Sequence, residues 1–587
     1  MVKRYLVTTA DEETWPADKP IVFIGEWCKR YSRRDVWENV DSRTVPYHWD
    51  DRRKFGEDYI YLNNLYESSL VELSKYLNSV HQTHFSVRYW RTLIGPWLGI
   101  FIQILFDRWY MLKVSLETFD IDSCYVHNKE IEAFAPNDMQ SFVDVMVTDS
   151  WNELIYAKLL ELMPNEINVC RLENKSKISQ GESGGVSISN KVKRLIRATF
   201  NNLMGLVSCF DDVFILNSCF PMTTDFSIQL GFKEIPKLWS TFVAPETAVS
   251  MNSRRWGLKV TNQKSEFSGI VEKMIPLCIP VVYLEGYQEL ISCQTKLPWP
   301  KEPKVIYTSV SYYTDDVFKA WAGAKVENKA SLIIGQHGGN FGMTQQAFLE
   351  SHQIKISDAY LSWGWSDERN KKIIPVGNLV SRRKTKGYDP QGFVLMVEYA
   401  LPRFSYQLYS VPIASQWLDY FDEQCRFVES LPVMQQDLLR LRLGRSDFGW
   451  DQESRWRSLF PNIDFDLGAE PMSKVVTGCR IYIATYNATT FLESLSWNIP
   501  TIIFWKPEHW ELNNDALEYF YLLEAVGIFH RTPESAARQL MQVWDNVEEW
   551  WEKEEVQKAR QVFCNQYSFT SGESFEKLQV VFNEFST

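Results

Sequence analysis

Short runs of apolar residues that end in glycine, histidine or hydroxyl side chains constrain this chain most. Val213-Phe-Ile-Leu216, Lys304-Val-Ile-Tyr-Thr308, Ser331-Leu-Ile-Ile-Gly335, Phe393-Val-Leu-Met-Val397, Ile481-Tyr-Ile-Ala484 and Pro500-Thr-Ile-Ile-Phe504 carry almost no charge. Strands apolar on both faces must be covered on both faces, which is the signature of a parallel sheet between helices. Helical periodicity fills the gaps near 314–324, 405–422 and 515–525. The architecture expected is α/β, with two doubly wound Rossmann-type domains facing a cleft. The division falls near 380–392: residues 1–385 form an acceptor-side domain with helical insertions, and 386–587 a nucleotide-binding domain.

Further elements follow from spacing. A first strand is read at Ile21–Ile24. Helices are read at Asp58–Leu77, at Tyr89–Lys113 with a break near Gly95-Pro96, at Trp151–Leu162 and at Pro432–Leu443. Residues 173–193 are Ser/Gly-rich and aperiodic, as in a surface loop, and Lys191, Lys193, Arg194 and Arg197 follow them. The longest apolar stretch, Thr92–Phe106, holds Pro96 and falls short of the ~20 residues a spanning helix needs. It reads as a buried helix.

The 587 residues carry a net charge of -12, which argues against a nucleic-acid partner. Ten cysteines are scattered with no CxxC pair or zinc spacing, which fits a reducing, cytoplasmic setting. Twenty-three tryptophans could stack on sugar rings or fill cores.

In open parallel sheets ligands sit beyond the carboxyl ends of the strands, so the loops there carry the chemistry. The loop Gly335-Gln-His-Gly-Gly-Asn-Phe-Gly342 offers His337 as an acid/base and Gly338 and Gly339 as close-approach backbone for an anion. Thr485-Tyr-Asn-Ala-Thr-Thr-Phe-Leu-Glu493 opens a helix. There Thr489 and Thr490 would meet phosphate and Glu493 a ribose diol, although Thr490 and Glu493 also have capping-box spacing. Glu26, after Ile21–Ile24, is a second candidate base. Asp50-Asp51 fits a ligand or a helix cap equally. Arg403 is placed for phosphate or for a salt bridge. Asp358 lies in the aromatic segment Ser357–Trp365. No DxD-type pair stands at a strand end, so transfer without a metal is expected, and no P-loop, zincin or GxSxG motif occurs.

Two sets of phrases carry a resemblance. Gln336-His-Gly-Gly, Asp358 with Ser-Trp-Gly-Trp365, Ile-Pro-Val-Gly377-Asn378 and Thr-Thr-x-x-Glu493 with Pro500 resemble GT-B transferases of bacterial surface polysaccharides. Thr8-Thr9-Ala10 with Glu13-Thr-Trp15, Phe23-Ile-Gly-Glu-Trp-Cys28, Pro46-Tyr-His-Trp-Asp-Asp-Arg52 and Tyr89–Leu98 resemble a transferase family of O-antigen loci, first described in Leptospira. The resemblance implies a GT-B-like glycosyltransferase that takes a nucleotide-sugar as substrate, with no cofactor. It implies a lipid-linked or glycan acceptor in lipopolysaccharide O-antigen synthesis, at the cytoplasmic side, with peripheral inner-membrane contact open. Polyol-phosphate transferase, GT-B-shaped sugar-nucleotide epimerase and non-catalytic glycan-binding scaffold are the alternatives. The Ser-Ser pair of related ulosonic-acid transferases is Thr489-Thr490 here, and no His-Pro dipeptide occurs.

Overall fold

A computed structural model describes residues 3–173, 211–259, 265–379, 387–444 and 446–586. Most of the 173–193 segment and its basic followers lie outside them. Three sheets, all parallel, organise the chain, and its class is mixed α/β as expected. The first holds β1 (Arg4–Val7), β2 (Ile21–Phe23), β3 (Ser42–Thr44), β4 (Ile121–His127) and β5 (Asn168–Leu172), in the order β3-β2-β1-β4-β5. The second holds β6 (Val213–Leu216), β7 (Val305–Thr308), β8 (Ser331–Gly335), β9 (Ala359–Ser362) and β10 (Ile373–Pro375), ordered β10-β9-β8-β7-β6. The third holds β11 (Phe393–Val397), β12 (Leu439–Arg442), β13 (Asp464–Asp466), β14 (Cys479–Ala484), β15 (Thr501–Phe504) and β16 (Phe529–His530). Its order, β13-β12-β11-β14-β15-β16, is that of the dinucleotide-binding fold.

The region expected to form one domain, 1–385, therefore contains two sheets. The extra sheet is built on β1, a four-residue run that the reading from Ile21 passed over. The last helix, Ser574–Ser586, leaves the third sheet and places Leu578, Val581 and Phe582 against Val213, Ile215 and Tyr307 of the second. Residues 433–443 are not one helix either. Leu439-Arg-Leu-Arg442 has the alternation of a strand, with both leucines buried and Arg440 and Arg442 paired to Asp464 and Asp466 on β13.

The helices that matter here are α1 (Arg52–His81), α2 (Val87–Thr118), α3 (Asp149–Leu162), α4 (Asp316–Glu327), α5 (Phe348–Ile356) and α6 (Thr489–Ser496). Asp51 caps α1, accepting from the Arg53 and Lys54 amides at 3.0 and 3.1 Å, so the cap reading of Asp50-Asp51 describes this aspartate. Helix α2 runs unbroken through Pro96, where a break was expected. Every residue from Thr92 to Trp109 is buried, since α1, α3, α4 and α5 enclose it. Such a helix belongs to the core of a large protein. Gly99 lets α5 close in: a Cβ there would lie 1.9 Å from the Phe348 ring. Among the described residues, no helix is long and apolar enough to cross a membrane.

Within α2, Asp107 and Arg108 are buried together. Asp107 accepts from the Tyr47 hydroxyl at 3.0 Å and meets His48 Nε2 at 3.2 Å, and Arg108 donates to it as well. Burial alone would raise the Asp107 carboxyl, but Arg108 and His48 hold it below the usual range. Arg108 also donates to Asn152 Oδ1 on α3 (2.9 Å), to Ser405 Oγ (2.9 Å) and to the Ser405 carbonyl (2.7 Å), tying the α2 core to the loop after β11. Removing one partner of such a pair leaves a buried charge without compensation. Arg108→Ala is expected to cost about 3–5 kcal/mol in chemical denaturation. Arg369→Ala, whose pair with Asp367 is exposed, should leave the midpoint where it is.

Candidate functional site

The second and third sheets meet at the ends of their strands. The loop after β8 leaves Gly335 and runs straight onto the N-terminus of α6. The Gly339 amide donates to Thr489 Oγ1 at 2.9 Å, and a Cβ on Gly339 would lie 2.4 Å from the Ala488 carbonyl carbon. Only glycine permits this approach. The loop then stays on the third unit. Asn513 donates its side-chain amide to the Gly342 carbonyl (2.8 Å) and its backbone amide to the Met343 carbonyl (2.8 Å). Tyr409 donates to Asn340 Oδ1 at 3.2 Å, and Ser410 to Gln346 at 2.6 Å. Asn340 and Gly342 have φ of 67° and 74°, the left-handed region that asparagine and glycine tolerate best. The half-buried Glu350 carboxyl receives the Gly342 amide at 2.8 Å. Burial pushes this acid up to about 7, opposed by that hydrogen bond.

His337 stands one step before the glycines. Its ring lies 5.4 Å from Phe341 and 6.2 Å from Tyr312, and its Nδ1 is buried with no partner. Burial pulls the imidazole down to about 4, against the Ser309 backbone, so the ring is neutral at physiological pH. In the same unit, the ends of β6 and β7 frame a cavity of about 550 Å³ whose walls include Asn217, Phe242, Ser311, Thr314 and Asp315; His337 is not in its lining, but its ring neighbour Tyr312 lies between the lining residues Ser311 and Tyr313. The cavity is large enough for a sugar or a small glycan.

Across the contact, α6 begins at Thr489 after Ala488, with no side chain capping it. The capping-box alternative for Thr490 and Glu493 is thus not built. Thr490 sits inside the helix and donates to the Tyr486 hydroxyl at 2.9 Å. Thr490, Tyr486, Glu398, Tyr399, Arg442 and Gly444 line a second cavity of about 370 Å³. It opens where β11, β12 and β14 end, at the point where the strand order reverses. The Tyr399 and Tyr486 rings stack 5.1 Å apart. Glu398 is buried, and burial pushes it up to about 8, opposed only by the nearby Trp456 side chain. Asn487 is buried with both side-chain polar atoms unpartnered. The sequence offered Asn487 only inside the quoted loop and gave no sign of Glu398 beyond its place at a strand end.

The other expected residues stand elsewhere. Asp358 lies at the start of β9, the opposite end of the sheet from His337. It pairs with Arg88 at 2.8 Å and accepts the Leu332 amide at 2.8 Å, so it is a structural acid. The neighbouring Trp363 and Trp365 donate to Gln336 rather than to open space. Arg403 is buried and committed: it donates to Asp149, the Trp27 carbonyl and the Phe448 carbonyl. Glu26 opens the 3-10 turn Glu26–Cys28 that follows β2 of the first sheet, half-exposed and paired to Lys29 at 3.0 Å. The tryptophans are all buried or half-buried, which removes them as a surface stacking platform.

The second and third α/β units thus share one loop, with a strand-end cavity on each. The model of the LIC12162 family transferases matches residues 4–582, and the chain belongs to that family. It is a transferase. No curated protein matches the chain. Among solved structures, one similar chain is UGT2 of Phytolacca americana, complexed with UDP-2fluoro-glucose and pterostilbene. The two are 13% identical over 83% of this chain and 96% of that one, with a TM-score of 0.23.

The close approach at Gly339 can be tested directly. Gly339→Ala should drive the loop off α6, at the ~1–3 kcal/mol typical of overpacking, and lower the melting temperature. Gly257→Ala, where a Cβ meets nothing within 4 Å, should not.

Proposed function

We propose that this transferase moves a sugar from a nucleotide-activated donor to a lipid-linked or glycan acceptor, as a GT-B-type glycosyltransferase of O-antigen and surface-polysaccharide synthesis. The observation that carries the reading is the Gly339–Thr489 contact, which sets His337 beside an uncapped helix N-terminus. A helix N-terminus without a side-chain cap and the positive end of the helix dipole suit a phosphate, so α6 with Thr489 and Thr490 would hold the donor's phosphates. Glu493 would reach the ribose, and the cavity at Tyr399 and Tyr486 would take the nucleoside. The acceptor would lie in the cavity walled by Asn217 and Asp315. Its hydroxyl would present a proton to His337 while the sugar–phosphate bond breaks.

A neutral imidazole can accept that proton. A basicity near 4 is low for the task, but the phosphate charge that develops beside the ring would draw it upward. We carry forward transfer without a metal in the cleft, with turnover expected to survive EDTA. The cytoplasmic setting and peripheral contact with the inner membrane rest on the pathway resemblance. Sugar-nucleotide turnover without any acceptor would instead mark an epimerase.

His337→Ala should lower turnover by roughly 10²–10⁴-fold, the range for a lost general acid/base. The rise in melting temperature given by the best of CMP, UDP, GDP and CDP should be kept, because the nucleotide groups lie on the other unit. A variant that turns over normally, or a wild type that no nucleotide stabilises, would end this reading. The pH profile adds a check. Because the imidazole is held near 4 rather than its ordinary 6.5, the base-competent form persists as pH falls through 6.5. kcat/KM should stay level there and decline only as pH approaches 4.

A further inference from the structure

The first sheet has its own reversal of strand order, between β1 and β4, and the transfer step uses nothing there. Loops leave such a point in opposite directions and open a crevice. Into it come Asp11 and Glu13 from the segment after β1, and His127 from the end of β4. One ligand atom of each lies within 4.8 Å of the other two. His127 Nε2 is 2.9 Å from Asp11 Oδ2. Two ligands about 2.1 Å from one cation and roughly at right angles to it stand about 3 Å apart, so this pair already has the spacing.

A second observation points the same way. His127 is 9% exposed, and its Nδ1 has no partner. Behind it Glu153, 1% exposed, accepts the His127 backbone amide at 2.7 Å through Oε1, while Oε2 is buried without a partner. Lys129 Nζ stands 3.9 Å from Oε1 and is the cation on that side. Asp11, Glu13 and His127 thus share the crevice, and a buried ring nitrogen without a partner is costly unless a ligand satisfies it.

We propose that Asp11, Glu13 and His127 form a site for one divalent first-row cation. Imidazole with carboxylate oxygens suits Mn²⁺ or Zn²⁺ better than Mg²⁺ or Ca²⁺, which prefer oxygen alone. Glu13 is exposed and closes on the ion last, so the remaining positions face solvent and take water. Glu153 orders the site from behind through the His127 backbone. The crevice also connects to the third unit. The Ala10 amide donates to Asp149 at 2.9 Å, Asp149 holds Arg403, and Arg403 donates to the Phe448 carbonyl at the rim of the nucleotide-side cavity. A cation fixing the β1 segment would stiffen that chain of contacts.

The test is electron paramagnetic resonance of Mn²⁺ titrated into the full chain, because Mn²⁺ ignores the less buried thiols Cys170, Cys219 and Cys293. One Mn²⁺ should bind per chain, with nitrogen coupling from an imidazole. His127→Gln should remove that coupling, and Glu13→Gln should weaken binding by ~10-fold or more. Glu13 is exposed, so its variant folds and decides the matter if the His127 variant does not. No stoichiometric Mn²⁺, no nitrogen coupling, or unchanged affinity in Glu13→Gln would each overturn the site. These readouts do not involve turnover, so they stand apart from the transferase reading.

Discussion

Everything in this chain is arranged around one helix that has no solvent-facing side over eighteen consecutive residues, Thr92 to Trp109. Helices of the first and second units share α2 as a common core, and Arg108 fastens it to the third. An arginine with no exposure is tolerable only when its donors are satisfied, and here Asp107, Asn152 and Ser405 satisfy them. Gln103 adds a second tie through its acceptance of the Leu408 amide at 2.6 Å. The segment 403–410 that these residues grip also carries Tyr409 and Ser410, which hold the loop after β8. The core helix therefore fixes the site at a distance.

The site itself is assembled from groups that would be unfavourable elsewhere. His337 Nδ1 and the Asn487 amide are buried without partners near the strand ends, and the Glu398 carboxyl is buried there with only Trp456 beside it. Each of them costs stability in the free protein. The surrounding aromatic packing, with Tyr399 on Tyr486 and Phe341 beside His337, holds them in place. Glu350 makes a different use of burial, since its contact with the Gly342 amide pins the turn that sends the loop across to α6.

The arginines and acids show why residue type alone misplaces function. Arg403 and Asp358 have the chemistry of ligand-binding groups, yet Arg403 braces the first unit against the third and Asp358 closes the far end of β9 on β8. Arg52 does similar bracing, gripping Glu511 through two hydrogen bonds of 2.7 and 2.8 Å. In a chain with three packed units, such junctions absorb many charged residues that a single-domain reading would assign to a cleft.

By itself the sequence determined the elements and the loops that end them. Apolar runs of four to six residues bounded by turn signals read as strands of covered parallel sheets, while the fifteen-residue run Thr92–Phe106 reads as a helix, and glycine, histidine and threonine after the short runs mark strand ends, because those constraints are local. It determined that His337 and Thr489 would both stand at such ends. The number of sheets was decided by tertiary structure, because β1 and the Leu439–Arg442 strand are too short to declare themselves without partners. So were the return of the last helix to the second sheet, the meeting of Gly339 with α6, and the burial that makes Glu398 and Asn487 part of the site. Those depend on which surfaces meet, and residues more than a hundred positions apart carry no mark of that in their spacing.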